Sequence, residues 1–277
     1  MTAVGVDIGG TKLLIKAGAR VARHPTGPGA DAALIEDLLR AQLRDWDSAP
    51  SALGIAVPGL VDRAGRVAQS AVLPGLDGWD PRAALRDVCD RIAVLNDAEA
   101  ALVAEAQDLP PEATVALVMA GTAIGAAFRV DGRPLRGASG WAGELGFWPV
   151  RAGGETLRLD ELAGGRHIAA SLGIDGAQLA ELARRGDPRA LGAVRAGGEA
   201  LGLALAGVVN LFNPQRLVLG GGSLELPGYE AAARAALERA ALPRLLADCA
   251  VRRAGGGAEV VACGALLAAA ALRDAQR

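Results

Sequence analysis

Val4-Gly5-Val6-Asp7-Ile8 forms an apolar stretch that delivers one carboxylate into Gly9-Gly10-Thr11-Lys12 and leaves through a second apolar run, Leu13-Leu14-Ile15. A strand, a glycine turn and a returning strand form a hairpin whose turn collects bare N–H groups, a hydroxyl and an ammonium beside a carboxylate. Such a turn can hold a phosphate together with its metal ion. Glycine allows close backbone approach and positive φ without a steric penalty, and Asp7 can meet Mg²⁺ directly or through water. The same residues also suit a hairpin that uses Gly-Gly only as its turn, and this motif alone leaves both readings open. The plan returns in the second half. There Thr114 to Met119 reads as a strand, Gly121-Thr122-Ala123-Ile124-Gly125 as a glycine-bearing turn, and Ala126 to Val130 as a strand closing at Asp131-Gly132. A third turn, Gly220-Gly221-Gly222-Ser223, follows the strand Arg216 to Leu219.

The remaining pattern alternates strands with helices, as an α/β sheet requires. Asp31 is placed to cap a helix with Leu34, Ile35, Leu38, Leu39 and Leu43 on one face. Ala52 to Val57 is a strand stopped by Pro58-Gly59, and Asp80-Pro81 opens a helix expected to reach Arg91. Ile92 to Leu95 is a buried strand ending at Asn96-Asp97, and Asp187-Pro188 starts a long helix expected to end near Asn213-Pro214. Pro110-Pro111 cannot continue the preceding helix and marks the expected domain boundary. The division read from the chain is a smaller N-terminal α/β domain over 1–110 and a larger one over 111–262, with the segment 263–277 packing back on the first.

With 277 residues, of which 51% are hydrophobic and 22% charged, the chain can bury a sizeable core. Its formal net charge of −2 leaves no basic footprint, so nucleic acid is not an expected partner. Cys89, Cys249 and Cys263 are odd in number and far apart, which points to small buried thiols in a reducing compartment rather than a disulfide framework. Neither a basic n-region nor an apolar h-region opens the chain, and Ala200 to Phe212 is too short and too interrupted by glycine for a membrane span. A cytoplasmic protein that does not engage the membrane is the expectation.

Five strings, in order, carry a specific resemblance: Asp7-Ile8-Gly9-Gly10-Thr11-Lys12, Gly54 to Asp62, Leu95-Asn96-Asp97-Ala98, Ala142-Gly143-Glu144-Leu145-Gly146 and Val218-Leu219-Gly220-Gly221-Gly222. Together they resemble the ROK family of sugar kinases and repressors, within the actin-like ATPase superfamily, over nearly the whole chain. The resemblance implies two actin-like ATPase (ribonuclease H-like) domains with a nucleotide and substrate cleft between them. It also implies ATP- and Mg²⁺-dependent phosphorylation of a small-molecule hexose or close analogue at a primary hydroxyl, with domain closure excluding water, commonly in a homodimer.

By that resemblance Asp97 is the general base, and Gly59, Asn96 and Glu144 meet the sugar. Asp7 organises Mg²⁺, and Gly9, Gly10, Thr11 and Lys12 lie near the β and γ phosphates. Gly121 and Thr122 cradle those phosphates from the other domain, while Gly220, Gly221 and Gly222 form part of the adenosine site. Read without the family, Asp97 is a helix N-cap beside Asn96 and Glu144 a solvated loop acid. The repressors of the family carry an N-terminal DNA-binding module, and no helix-turn-helix segment precedes the first strand here.

The chain also departs from the family. Phe147 stands where a histidine usually follows Glu-x-Gly, and Trp148 to Arg158 lacks the usual zinc-binding cysteines. With His24 and His167 the only histidines, no zinc is expected. His24, beside Pro25, reads as loop and His167 as a surface or packing residue. Asp160 occupies a position where a sugar-binding glutamate is usual, Val72-Leu73 replaces an Asn-Leu pair, and Ala123 replaces a glycine, which could restrict φ or narrow the loop and weaken ATP binding. Phe147, Asp160 and Val72-Leu73 therefore imply a sugar site altered at the anomeric end. A plain hexose kinase with a rebuilt loop is the broader expectation; a kinase of an amino sugar or a C7-cyclitol and a non-catalytic sugar sensor are the alternatives.

Overall fold

The computed structural model describes residues 2–274. They divide into two compact units: residues 2–109 with Arg136–Ala142 and 255–274, and Pro110–Leu135 with Gly143–Ala254. The chain leaves the first unit between the helix that follows Asp97 and the Pro110-Pro111 pair. It returns for the seven residues Arg136–Ala142, a detour that no shift in composition announces. Of the expected C-terminal segment, residues 275–277 lie outside the described residues.

In the first unit β1 (Ala3–Ile8), β2 (Lys12–Ala17) and β3 (Arg20–Pro25) form an antiparallel meander. Helix α1 (Ala32–Asp45) follows, then β4 (Ala52–Val57), a small ladder of β5 (Leu60–Val61) and β6 (Val67–Gln69), the short helix α2 (Pro81–Ala84), β7 (Ile92–Asn96) and α3 (Asp97–Glu105). The sheet order is β3-β2-β1-β4-β7, with β1, β4 and β7 parallel. Strand β4 is buried along its whole length, as expected of a parallel strand covered on both faces.

Several local expectations need correction. His24 lies in β3, not in a loop, with its Nε2 2.9 Å from Gln42 Oε1; Pro25 ends this edge strand, where a missing N–H is tolerated. Asp31 caps α1 by accepting the Leu34 N–H, but Leu34 itself is exposed and the buried stripe is Ile35, Leu39 and Leu43. Helix α2 stops after four residues instead of reaching Arg91. Leu85 and Cys89 are the buried apolar anchors in that stretch, and the Arg82 guanidinium is drawn to the carbonyls of Ile92 and Ala64.

The C-terminal helix (Val260–Asp274) lies against this sheet through glycines. Gly5 and Gly54 are partners across β1 and β4. A Cβ on Gly5 would come within 2.2 Å of the Ala262 carbonyl oxygen, and one on Gly54 within 1.9 Å of that of Ala265. On its other side the helix meets α3, where a Cβ on Gly264 would fall 1.7 Å from the Ala100 oxygen. Lys16 on β2 and Arg23 on β3 both pair with Glu259 at the root of the helix.

The second unit repeats the plan with β8 (Val115–Ala120), β9 (Ile124–Val130) and β10 (Arg133–Pro134) as meander. A 3₁₀ turn (Leu145–Phe147), the hairpin β11 (Pro149–Ala152) and β12 (Glu155–Arg158), and helices α4 (Leu159–Ala163), α5 (Gly165–Ser171), α6 (Gly176–Arg184) and α7 (Pro188–Phe212) follow. After them come β13 (Arg216–Gly220), α8 (Tyr229–Ala240), α9 (Pro243–Ala247) and β14 (Ala250–Arg253), giving the order β10-β9-β8-β13-β14. Helix α7 begins with Pro188 behind the Asp187 cap and ends on the left-handed Asn213. It is long and apolar enough to cross a membrane, yet Val194, Leu201, Leu205 and Val209 are fully buried in this unit's core. Gly198 and Gly202, one turn apart, let α8 approach: Cβ atoms there would lie 2.2 Å from the oxygens of Tyr229 and Ala233. Cys89 and Cys249 are buried and Cys263 half-buried, all as free thiols.

Candidate active site

In the first unit the β1–β2 turn is closed by the Gly9 N–H donating to the Lys12 carbonyl at 2.9 Å, and Thr26 Oγ1 donates to the Gly9 carbonyl at 2.6 Å. Neither Gly9 nor Gly10 takes a positive φ, contrary to one expectation. They are needed for close approach instead, because a Cβ on Gly10 would lie 2.8 Å from Val72 Cγ1. Thr11 is exposed and Asp7 and Lys12 half-buried.

Asn96 and Asp97 sit where β7 gives way to α3. Asn96, not Asp97, is the N-cap: its Oδ1 accepts the Ala98 N–H at 2.8 Å, and its Nδ2 donates to the Gly59 carbonyl at 2.7 Å. Asp97 is the first helical residue, and its Oδ1 shares the Ala98 N–H at 2.8 Å. Gly59 has φ +139°, and a Cβ there would lie 2.3 Å from the Gln69 oxygen, so the Pro58-Gly59 turn is pressed onto the following loop. Burial pushes the Asp97 carboxyl above the usual carboxylate range, against the hydrogen bonds that favour its charged form. Asp7 is lifted from 3.8 to about 6 by burial and by the charge of Asp97, with Lys12 opposing. One unit thus brings together the phosphate-type turn, a carboxylate suited to a metal ion and a second carboxylate suited to accepting a proton.

That pair has a pH consequence. A carboxyl whose folded pKa lies above its unfolded value favours the protonated form, so Asp7 opposes folding once it is ionised. The effect is absent below 3.8, grows as pH rises through the window up to about 6, and is full above it. At neutral pH it amounts to about 3 kcal/mol. In metal-free protein, Asp7→Asn is therefore expected to raise Tm at pH 7 and to flatten the rise in stability that wild type shows on acidification from pH 6.5 to 4.5. Thermal melts across that range, without and with millimolar Mg²⁺, check this; equal slopes for the two proteins would contradict it.

In the second unit Gly121 and Thr122 form the turn between β8 and β9. The Gly121 carbonyl accepts from the Gly165 N–H at 2.8 Å and from Ser223 Oγ at 2.9 Å, and the Thr122 carbonyl from the Arg166 N–H at 3.2 Å. Gly165, Arg166 and Ser223 thereby hold the turn; Ser223 belongs to the third glycine turn of the sequence, whereas Gly165 and Arg166 carry no expectation there. The adjacent Gly164-Gly165 pair was the available signal. Ala123 is exposed with an ordinary negative φ, so its Cβ imposes no backbone strain. Gly121, Thr122, Arg166, Gly222 and Ser223 border an open cavity of about 620 Å³ whose floor includes Ala169 and Leu179. The lining combines glycine backbone with apolar side chains, a mixture that suits the phosphates and the base of a nucleotide. Gly221, with φ +96°, and Gly220 are compressed: Cβ atoms there would meet the Ala120 oxygen at 2.3 Å and Met119 Sδ at 2.5 Å.

Glu144 is exposed and, with Trp148, Phe128 and Phe212, lines an apolar pocket of about 230 Å³. Phe147 is 58% exposed, and the Arg158 guanidinium lies 5.2 Å from its ring centre. Asp160 Oδ1 accepts the Ile124 N–H at 2.5 Å, and a Cβ on Gly146 would touch the same oxygen at 2.7 Å. Asp160 therefore ties the start of β9, next to the Gly121–Thr122 turn, to the Glu144–Phe147 turn. The stretch in which zinc ligands are usual is folded as the β11–β12 hairpin, turning on left-handed Gly153 and Gly154. Among the described residues no cluster of three or more His, Cys, Asp or Glu side chains is disposed around a metal ion.

The ROK family model matches residues 3–271. A kanosamine kinase from Amycolatopsis mediterranei is 30% identical over 79% of this chain and 80% of its own. A beta-glucoside kinase from Klebsiella pneumoniae is 30% identical over 83% of this chain and 84% of its own. The crystal structure of a ROK hexokinase from Thermus thermophilus superposes with a TM-score of 0.83 at 31% identity, covering 98% of both chains.

Proposed function

Because this chain belongs to the ROK family, whose model spans it almost end to end, we propose that it transfers the γ-phosphoryl group of ATP to a primary hydroxyl of a hexose or hexose-like polyol. The observation that carries this reading is the raised carboxyl of Asp97 at the start of α3, electrostatically coupled to Asp7 beside the phosphate-type turn. A base with an elevated pKa drives proton transfer better than an ordinary carboxylate. Asp97 accepts the hydroxyl proton as the sugar oxygen bonds to phosphorus and the bond to the leaving ADP oxygen breaks. In the first unit Gly10, Thr11 and the Lys12 ammonium are the groups we assign to phosphate, and in the second unit the Gly121-Thr122 turn, with Gly220 to Gly222 assigned to the nucleoside; the Gly9 and Gly121 N–H groups are already engaged within their turns and serve to shape them.

Asp7 fits Mg²⁺ because one carboxylate plus nucleotide phosphates is an ordinary donor set for that ion, which when bound neutralises charge developing on the phosphate oxygens. The segment Trp148 to Arg158 carries no cysteine or histidine to bind zinc, and we infer that the β11–β12 pairing holds this loop instead.

For the acceptor, Phe147 favours a ring without an anomeric oxygen, such as a C7-cyclitol; an amino sugar, which keeps that oxygen, is supported instead by the similarity to a kanosamine kinase. Leaving an anomeric hydroxyl against the Phe147 ring without a partner costs about 1–3 kcal/mol, so the cyclitol is expected to exceed glucose in kcat/KM by roughly tenfold or more, and kanosamine at least to match glucose. ADP release measured with glucose, mannose, kanosamine, glucosamine, N-acetylmannosamine and a C7-cyclitol checks this. Glucose matching or exceeding every other acceptor would overturn the preference. We further place the protein in the cytoplasm as a homodimer, with sedimentation velocity as the check on the second point. Exposed Trp148, Leu203 and Leu211 give the second unit apolar surface for a partner copy. A non-catalytic sensor would have no use for the Asp97–Asp7 pair.

A further inference from the structure

We propose that Glu99 is a positioning residue that holds the Asn96–Asp97 turn and the segment Arg136–Ala142 in a single register. Its two carboxylate oxygens are divided between them. Oε2 accepts the Asn96 N–H at 3.3 Å, completing a capping box at the start of α3, and Oε1 lies 3.3 Å from Arg136 Nε. The Glu99 side chain is only 18% exposed, so this pair is better shielded than an ordinary surface ion pair.

Arg136 opens the seven-residue detour of the chain into the first unit. The path of that detour is fixed at two further points. Arg63 donates to the Gly137 carbonyl, and Gly140, at φ +101°, runs so close that a Cβ would lie 2.6 Å from the Val61 oxygen. The segment then hands over to Gly143-Glu144. One acidic side chain thus braces the turn that carries Asp97 and, by its other oxygen, the root of the segment leading to Glu144. A helix start would be capped adequately by Asn96 alone. The second oxygen, turned to Arg136, is what a capping role leaves unexplained.

The proposal rests on Asp97 as base and Glu144 as sugar contact for its kinetic consequences, but its structural content is testable without ligand. Three variants separate the two arms. Glu99→Gln keeps an acceptor for the Asn96 N–H and loses the ion pair, Arg136→Met loses only the ion pair, and Glu99→Ala loses both. Amide hydrogen exchange on the ligand-free protein is expected to quicken about tenfold across 136–142 in all three variants, and at Asn96 only in Glu99→Ala. Exchange in Glu99→Ala within twofold of wild type at both places overturns the proposal.

With kanosamine and glucose as acceptors, Glu99→Gln and Arg136→Met are expected to raise the acceptor KM about fivefold at nearly constant kcat, and the double variant to be no worse than either single. Glu99→Ala is expected to lower kcat about tenfold as well, because the base turn is displaced. A merely structural role lowers Tm and leaves this division between KM and kcat unmoved, which contradicts the proposal. If wild type phosphorylates neither acceptor, the choice of acceptor is what has failed, and the exchange pattern still decides the role of Glu99.

Discussion

Asp97→Asn is expected to lower kcat by about 10²–10⁴ while leaving the KM for ATP close to that of wild type, because it removes proton acceptance in the transition state and no contact to the nucleotide. The substitution is nearly isosteric, and an amide oxygen can still accept the Ala98 N–H that Asp97 now shares with the Asn96 cap. Loss of activity therefore cannot be blamed on loss of the helix start. The same variant is expected to melt at a higher temperature than wild type at pH 7. Burial disfavours the ionised form of Asp97, and a carboxyl whose folded pKa is raised opposes folding once the pH exceeds its unfolded value. The charge of Asp97 also helps to lift Asp7 to about 6, so Asp7 is expected to titrate lower in the variant. Steady-state kinetics, thermal melts and carboxyl NMR titration measure the three effects. A variant with near-normal turnover removes Asp97 from the role of base.

The second large effect concerns the C-terminal helix. Gly264→Ala puts a methyl 1.7 Å from the Ala100 carbonyl oxygen, and Gly54→Ala puts one 1.9 Å from that of Ala265. Both obstacles are backbone atoms, so no side chain can rotate away and a helix must move. A loss of about 3 kcal/mol or more is expected for each, with Tm lowered by about 6–12 °C. Because Ala100 lies one helical turn beyond Asp97, Gly264→Ala is also expected to reduce kcat at temperatures where the protein is still folded. Gly192→Ala in α7 is the control: nothing lies within 4 Å of its added methyl, and replacing an exposed helical glycine stabilises by about 1 kcal/mol. Calorimetry on the three variants decides the matter, and equal melting temperatures for Gly264→Ala and Gly192→Ala would refute the packing account.

The sequence displays the strands that carry the site because their signals are local. Apolar runs ending in Gly-Gly, in Asn-Asp or in Gly-Thr mark the ends of β1, β7 and β8, and Asp-Pro and Asn-Pro bracket α7 almost to the residue. Long-range contacts leave no such mark. Gly5, Gly54 and Gly264 look like any small residues in an alanine- and glycine-rich chain, and only the fold shows that a helix rests directly on them. Asp160 looks like a shortened sugar ligand, whereas one of its oxygens is engaged by a backbone N–H 36 residues away in the chain. Asn96 looks like a sugar contact, and its amide is also the tie between α3 and the Pro58-Gly59 turn. Helix α2 is the reverse case: its start signal is local and correct, yet it stops after four residues although Leu85, Val88 and Cys89 continue at helical spacing, and they reach the core through turns instead.

Identification of the product tests the central claim most directly. Wild-type protein and Asp97→Asn are incubated with Mg²⁺-ATP and each member of the acceptor panel, and the mixtures are resolved by mass spectrometry with ³¹P NMR. The expected result is one phosphomonoester, formed mole for mole with ADP by wild type and at least about a hundredfold more slowly by the variant. ADP formed without a phosphorylated acceptor, or equal rates for the two proteins, would contradict it.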